Sequence, residues 1–372
     1  MIPPIVIALI VLSIVILIHE IGHFAAAKWT GVKVEEFGFG YPPKVISKKI
    51  GETLYSLNAL PFGGFVRLFG EQEADLSLTK KLQEKVKKQA FFNKGKKQRA
   101  LVITAGVIMN FLLGIVTFSL VYSLVGIPQK VDYITIDGVI PGSPAETAGL
   151  KAGDRILTID SQEVIKVNQF VDLMEAEKGE EVVLQVVRAQ NEKERFIRVT
   201  SRRDPPENEG ALGVLISNYD NIFYPVWQMP FRGAWVGIKE AIAWGIAMVV
   251  GLWTMIVDLI IKGAAPQVAG PVGIYKITAS VSEQGLLALI KFTGILSINL
   301  AVINILPFPA LDGGRLVFIF LEKVIGRRVK PLIEYWVNLA GMAILITLML
   351  ALTFREVFQL VQETAWWQKL PF

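Results

Sequence analysis

Residues Pro4 to Ala27 form an apolar run long enough to cross a bilayer as a helix, and Leu101–Val125 and Leu332–Phe354 are two more of the same kind. A chain carrying three such runs cannot hide them all in a water-soluble core. With 52% hydrophobic residues and a mean hydropathy of +0.48, it reads as a polytopic α-helical membrane protein. A fourth run, Leu286–Leu311, carries Lys291, Asn299, Asn304, Pro307 and Pro309, which an idle lipid-facing helix would avoid. It reads as a spanning helix that unwinds near its end. The expected architecture therefore has four transmembrane helices, at 1–30, 101–126, 286–312 and 332–355.

Charge orients them. Residues 24–100 hold 15 Lys/Arg against 7 Asp/Glu and residues 313–331 hold 5 against 1, whereas residues 127–233 hold 12 against 17. Basic loops beside apolar helices mark the cytoplasmic side, so the acidic block is extracytoplasmic. This segregation fits a multi-pass protein of the inner (plasma) membrane, in contact with the bilayer and not with nucleic acid. Parity then bears on a further apolar stretch, Ala241–Ile261. The two basic loops lie on one side, and two crossings already separate them, so 204–285 is expected as a linker followed by amphipathic helices that lie in the outer interface or re-enter it. Trp227, Trp235, Trp244 and Trp253 are its expected anchors.

The first run is not a cleaved signal peptide, although Ala25-Ala26-Ala27 looks like a cleavage site. No basic n-region precedes it, and its last turns are polar. After it, residues 31–72 alternate apolar and polar positions between turn signals at Gly38-Phe39-Gly40, Tyr41-Pro42-Pro43 and Pro61-Phe62-Gly63-Gly64, which predicts a β-hairpin region dipping into the membrane. A charged, mostly helical interfacial segment is expected at 73–100. Residues 128–203 read as a small α+β domain outside the membrane, and the stretch Gly142-Ser-Pro-Ala-Glu-Thr-Ala-Gly-Leu-Lys-Ala-Gly-Asp154 resembles the PDZ family. Residues 313–331 are a cytoplasmic loop and 356–372 a C-terminal tail.

The chemistry sits in His19-Glu20-Ile21-Gly22-His23. One helical turn separates the two histidines, the only ones in the chain, so both imidazoles face one way and can share one zinc ion while Glu20 takes a proton from water. If these groups were merely interhelical glue they would need matching polar partners in other helices. Cysteine is absent, so a metal must use nitrogen and oxygen ligands. A catalytic zinc needs a third protein ligand. Asp312 ends the third span beside a basic loop, at the depth where the first helix delivers its histidines. Asp258 is the alternative, but parity leaves it in the outer half. Pro307 and Pro309 stop regular helix and free backbone groups, and Asn304 could bind substrate backbone or a developing oxyanion. Asn299 and Asn110 could do the same or simply join helices.

Together, His19-Glu20-Ile-Gly-His23, Asn304-Ile-Leu-Pro-Phe-Pro-Ala-Leu-Asp312-Gly-Gly and a PDZ-like block between the second and third spans resemble the site-2 protease family (peptidase family M50), especially bacterial members with an extracytoplasmic PDZ domain. The resemblance implies an intramembrane zinc metalloendopeptidase with Zn2+ on His19, His23 and Asp312, Glu20 as general base, and an active site near the cytoplasmic side. It implies that Asn299, Asn304, Pro307 and Pro309 lie by the substrate and that the hairpin region around Gly38, Phe39 and Gly40 and around Pro61-Phe-Gly-Gly64 pairs with it. Expected substrates are single-span membrane proteins such as anti-sigma factors or signal-peptide remnants, and peptide C-termini are possible PDZ ligands. Val107 stands after Ala105-Gly106 where the family pattern has proline, and one PDZ domain is present where some relatives have two. A catalytically inactive PDZ scaffold is the alternative, against which the intact Glu20 and Asp312 argue.

Overall fold

The computed structural model describes residues 3–71, 87–188, 193–206, 209–263 and 268–363. They divide into two compact units, residues 1–122 with 233–372, and residues 123–232.

The chain enters as helix α1 (Pro4–Trp29), opened by prolines whose missing N–H costs nothing in a first turn. Six of its eight buried residues, Ala8, Val11, Val15, His19, Gly22 and Ala26, recur every three or four positions and so make one stripe along the helix. Strands β1 (Val34–Ile50) and β2 (Thr53–Leu68) follow as an antiparallel hairpin. Both strands bend, β1 at Pro42-Pro43 and β2 near Gly63-Gly64, and the hairpin folds over on itself. Gly38 is paired with Phe65 on one side and Ser56 on the other, and Phe39 with Gly64 and Leu57. The run at 36–39 is thus interior, while 44–50 and 64–68 are the outer runs. Val34 and Leu68 pack with Ala26, Ala27 and Val102 into a small core at the end of α1. Residues 73–86, half of the interfacial segment expected at 73–100, lie outside the described residues. After a 3-10 turn at Phe91–Asn93, helix α2 (Lys96–Val125) begins five residues before the expected span.

The second unit is built on a six-stranded sheet: β3 (Ile127–Val139), β4 (Asp154–Ile159), β5 (Gln162–Glu163), β6 (Glu181–Arg188), β7 (Glu194–Thr200) and β8 (Val214–Ile222). Their order is β7-β6-β4-β3-β8, with β5 on β4, so β8 is an edge. Helices α3 (Pro144–Thr147) and α4 (Val167–Ala176) complete it. Ser143 caps α3 by accepting from the Glu146 N–H. Ile134, Ile136, Ile156 and Leu184 are fully buried in its core, each contributing about 1.5–3 kcal/mol. The expected domain end at 203 falls short, because β8 pairs with β3 along much of its length.

The rest is helical: α5 (Met229–Lys262), α6 (Pro271–Glu283), α7 (Leu286–Ile305), α8 (Asp312–Ile325) and α9 (Pro331–Glu363). Among the described residues five helices, not four, are long and apolar enough to cross a membrane, and the additional one is α5. Parity counts where the ends of a segment lie and says nothing about the length of a helix between them, so a single 34-residue helix can stand within 204–285, where interfacial or re-entrant amphipathic helices are expected. The first half of α5 packs on α2 and α7 through Ala241, Phe118, Tyr122 and Ile298, while Trp253, Ile256, Ile260 and Ile261 further on are exposed. The segment read as a loop at 313–331 folds as α8 over its first 13 residues, and α9 continues eight residues beyond the expected 355.

Candidate active site

Helix α1 presents His19 and His23 with their Nε2 atoms 3.1 Å apart and their rings edge to face. Their other nitrogens are engaged by α2. His23 Nδ1 lies 2.8 Å from the Val102 carbonyl, which can only accept, so Nδ1 carries the proton and the Nε2 lone pair is free. His19 Nδ1 lies 3.4 Å from the Asn110 side-chain nitrogen, while Asn110 Oδ1 is buried without a partner. Exchanging the two ends of that amide pairs Oδ1 with an Nδ1–H and frees the second Nε2 as well.

The third group arrives from the far end of the sequence. After α7 the chain unwinds over Leu306–Leu311, Ala310 takes a left-handed φ of 73°, and its N–H donates to Asn338 Oδ1 on α9 at 3.1 Å. Helix α8 then starts at Asp312, whose Oδ2 stands 3.1 Å from His19 Nε2 and 3.3 Å from His23 Nε2. Gly313 and Gly314 follow because carbonyls of Ile305, Leu306 and Phe308 occupy the space that a Cβ would need.

Three donor atoms therefore lie 3.1, 3.1 and 3.3 Å from one another, and Asp312 Oδ2 is among the buried atoms without a hydrogen bond. Lone pairs aimed at one another at that distance repel unless a cation lies between them. With zinc–ligand bonds of about 2.0–2.1 Å, the edge of a tetrahedral site is about 3.3–3.4 Å, so this donor set fits a zinc-sized ion. Among the described residues it is the one cluster of three or more His, Asp or Glu able to hold a metal.

Glu20, one residue along α1, is half-buried and faces the outer run of β2: a Cβ on Gly64 would lie 3.5 Å from its Cγ. Asn304 Nδ2 on α7 is 3.4 Å from His19 Nε2. Asn299, five positions earlier, lies about 140° around the helix and does not share that face. Pro309 packs on Gly341 of α9, and Pro307 is exposed. The expectation for Gly38, Phe39 and Gly40 needs correcting. Gly38 and Phe39 already have strand partners on both sides, and Gly40 is packed on the Leu60 carbonyl and accepts from Asn58 Nδ2, so this segment cannot take on another strand. The run at 64–68 is the outer one beside Glu20. Asp258, the alternative ligand, is instead paired with Lys262 on the exposed side of α5.

Sequence reasoning missed Val102 and Gly106. A Cβ on Gly106 would lie 2.5 Å from His23 Nε2 and 2.8 Å from His19 Cε1, so α2 must be bare there for the imidazoles to fit. The signal was available as the small pair Ala105-Gly106, one and two turns from the polar residues Asn110 and Arg99.

The family model for peptidase family M50 matches residues 7–348. Zinc metalloprotease RasP of Geobacillus kaustophilus is 30% identical over 418 residues, covering 94% of this chain and 96% of that one. The regulator of sigma-W protease RasP of Bacillus subtilis is 28% identical, covering 95% and 97%. A candidate zinc metalloprotease of Clostridium acetobutylicum is 33% identical, covering 95% and 97%. A solved PDZ domain of an SdrC-like protein from Listeria monocytogenes aligns with 24% of this chain and 90% of its own at 21% identity, with a TM-score of 0.20 that is too low to speak for a shared fold.

Proposed function

The chain belongs to peptidase family M50, the site-2 proteases, and from that premise we propose that it is an intramembrane zinc endopeptidase that cuts single-span membrane proteins within their transmembrane segments. One observation carries this reading: two imidazole nitrogens and a carboxylate oxygen, brought from positions 19, 23 and 312, converge within 3.3 Å. In it His19, His23 and Asp312 hold the zinc. A zinc ion there supplies Lewis-acid chemistry, polarising a carbonyl and lowering the pKa of water to about 7.

The chain's own residues supply the rest. Glu20 accepts the proton of the attacking water and hands it to the leaving amine. Asn304, beside His19, donates to the carbonyl oxygen as negative charge develops on it. A helix hides its peptide bonds, so the substrate must unwind. The run at 64–68 offers a strand edge to receive it, and Gly64 lets the substrate backbone come close to Glu20. The 123–232 unit is read as the PDZ domain, outside the membrane, with edge strand β8 available to peptide C-termini. The name of the Bacillus subtilis relative makes anti-sigma-type proteins the substrate class to test first.

Four crossings remain our reading of the topology, with α5 a re-entrant helix. Glu356 on α9 accepts from the Gly270 and Gly273 N–H groups at 2.7 and 3.1 Å, and so holds the start of α6. It lies 18 residues beyond Asn338, about 27 Å along the helix from the level of Asp312 and towards the outer face.

Glu20→Gln tests the chemistry. The variant is expected to keep its zinc and to cleave a reconstituted single-span substrate about 10²–10⁴-fold more slowly. Cleavage at the native rate by zinc-loaded variant protein would remove Glu20 from the mechanism.

A further inference from the structure

Asp312 reaches the imidazoles on a short helix that apolar packing does not hold. Of the residues of α8 only Gly313, Gly314 and Glu322 are buried, while Phe320, Val324 and Ile325 are exposed. The linker before it holds two prolines and a left-handed alanine, and its N–H groups bond within its own turns, Phe308 to Leu306 and Leu311 to Phe308, and through Ala310 to Asn338 of α9. These bonds set where α8 begins, and the direction of its axis still has to be fixed to within the few tenths of an ångström that matter to a metal ligand.

Two ion pairs grip it. Near its far end, Glu322 is buried against Arg99 of α2. Arg99 Nη1 donates to Glu322 Oε1 at 3.3 Å, Nη2 bonds to Oε2, and Lys96 Nζ donates to the Glu322 carbonyl at 2.9 Å. Arg99 belongs to the buried stripe of α2 that goes on through Val102, Gly106 and Asn110, the residues that meet both imidazoles. Helix α2 is therefore a common ruler, with His19 and His23 set at one level and α8 hung at another. In the first turn of α8, Arg315 lies one turn from Asp312 and pairs with Glu71. Glu71 also accepts from the Leu68 N–H at 3.4 Å, at the end of the β2 run that carries Gly64 past Glu20. This second pair ties the carboxylate ligand to the strand edge beside the base.

We infer that Arg99–Glu322 and Glu71–Arg315 are positioning pairs that clamp α8 at both ends and so set Asp312 against the two imidazoles for zinc. The inference rests on the metal reading proposed above. Without either grip α8 still forms, but Asp312 samples positions off the site, and zinc binding weakens before the fold is lost.

The test is zinc affinity by chelator competition on the full chain in detergent, with thermal unfolding of the metal-free protein measured alongside. Groups that orient metal ligands typically contribute 10–100-fold to affinity. Glu322→Gln and Glu71→Gln are each expected to raise the zinc Kd at least about tenfold, and the reversal Arg99→Glu with Glu322→Arg to recover most of that loss. Asp258→Asn, which breaks the exposed pair on α5, is expected to leave Kd unchanged. Should Glu322→Gln fail to fold, Glu71→Gln carries the test. Native Kd in the folded single variants, even with lowered melting temperatures, overturns the inference and leaves the zinc site standing. Zinc binding by the wild type no tighter than by His19→Ala overturns both.

Discussion

Replacing Gly106 by alanine puts one methyl group where α2 crosses both imidazoles. The new Cβ would stand 2.5 Å from His23 Nε2, 0.9 Å short of the 3.4 Å at which ordinary van der Waals contact begins, and 2.8 Å from His23 Cε1 and His19 Cε1. The imidazoles cannot slide along α1, because His23 Nδ1 is fixed to the Val102 carbonyl of the same helix that carries the methyl. The helices must part or the rings must tilt, by several tenths of an ångström up to about 1 Å. Metal–ligand distances tolerate about 0.2 Å, and a misplacement of about 1 Å costs on the order of 10²-fold in rate. Gly106→Ala should therefore bind zinc at least about tenfold more weakly and cleave about 10²-fold more slowly, by zinc analysis and by cleavage of a single-span substrate in proteoliposomes. Gly245→Ala on α5 is the control, since its Cβ would meet nothing nearer than 3.7 Å and both readouts should stay native. Full zinc affinity and native turnover in Gly106→Ala would refute the close approach of α2 to the site.

Two predictions concern other parts of the chain. Asp154, 1% exposed, takes both Arg188 Nε and Nη2 at 2.9 and 2.8 Å, so Asp154→Ala should destabilise the 123–232 unit by about 3 kcal/mol. Denaturant-dependent proteolysis of the intact protein measures it, and a loss below about 1 kcal/mol would contradict it. Burial alone would lift the Glu36 carboxyl, but the neighbouring Lys44, Ser56 and Arg67 outweigh it and hold the group below the usual carboxylate range. A depressed folded-state value means that its stabilisation is complete above the unfolded value of about 4.3 and drains away as pH falls through the folded one. Protease cleavage in the hairpin should therefore rise on acidification below about pH 4.3 in the wild type and rise less in Glu36→Gln, and identical profiles would contradict this.

Much of the membrane part was legible because a spanning run and a pair of histidines four apart are local patterns. Asp312 was reachable only through depth, by matching the unwound end of one span to the last turns of another, and the structure brings it within 3.3 Å of both imidazoles. The pairing of Arg99 with Glu322 was not legible. An arginine at the start of a span reads as an ordinary cytoplasmic flank, and its partner lies 223 positions away. The double bend of the hairpin escaped for a similar reason: alternation at 31–72 marks strands but does not tell which run pairs on both sides, so Gly38–Gly40 could not be told apart from Pro61–Gly64 as the run with a free edge. The length of α5 was visible in the sequence as the apolar stretch Ala241–Ile261, but length alone does not tell a crossing helix from one that parity keeps on one side.

X-ray absorption at the zinc edge, on the purified full chain and on Asp312→Ala, tests the metal site most directly. The account predicts one zinc per chain with nitrogen and oxygen neighbours at about 2.0–2.2 Å, two of them imidazoles, and loss of an oxygen neighbour or of the metal itself in the variant. Zinc bound with fewer than two imidazoles, or a first shell unchanged when Asp312 is removed, would contradict it.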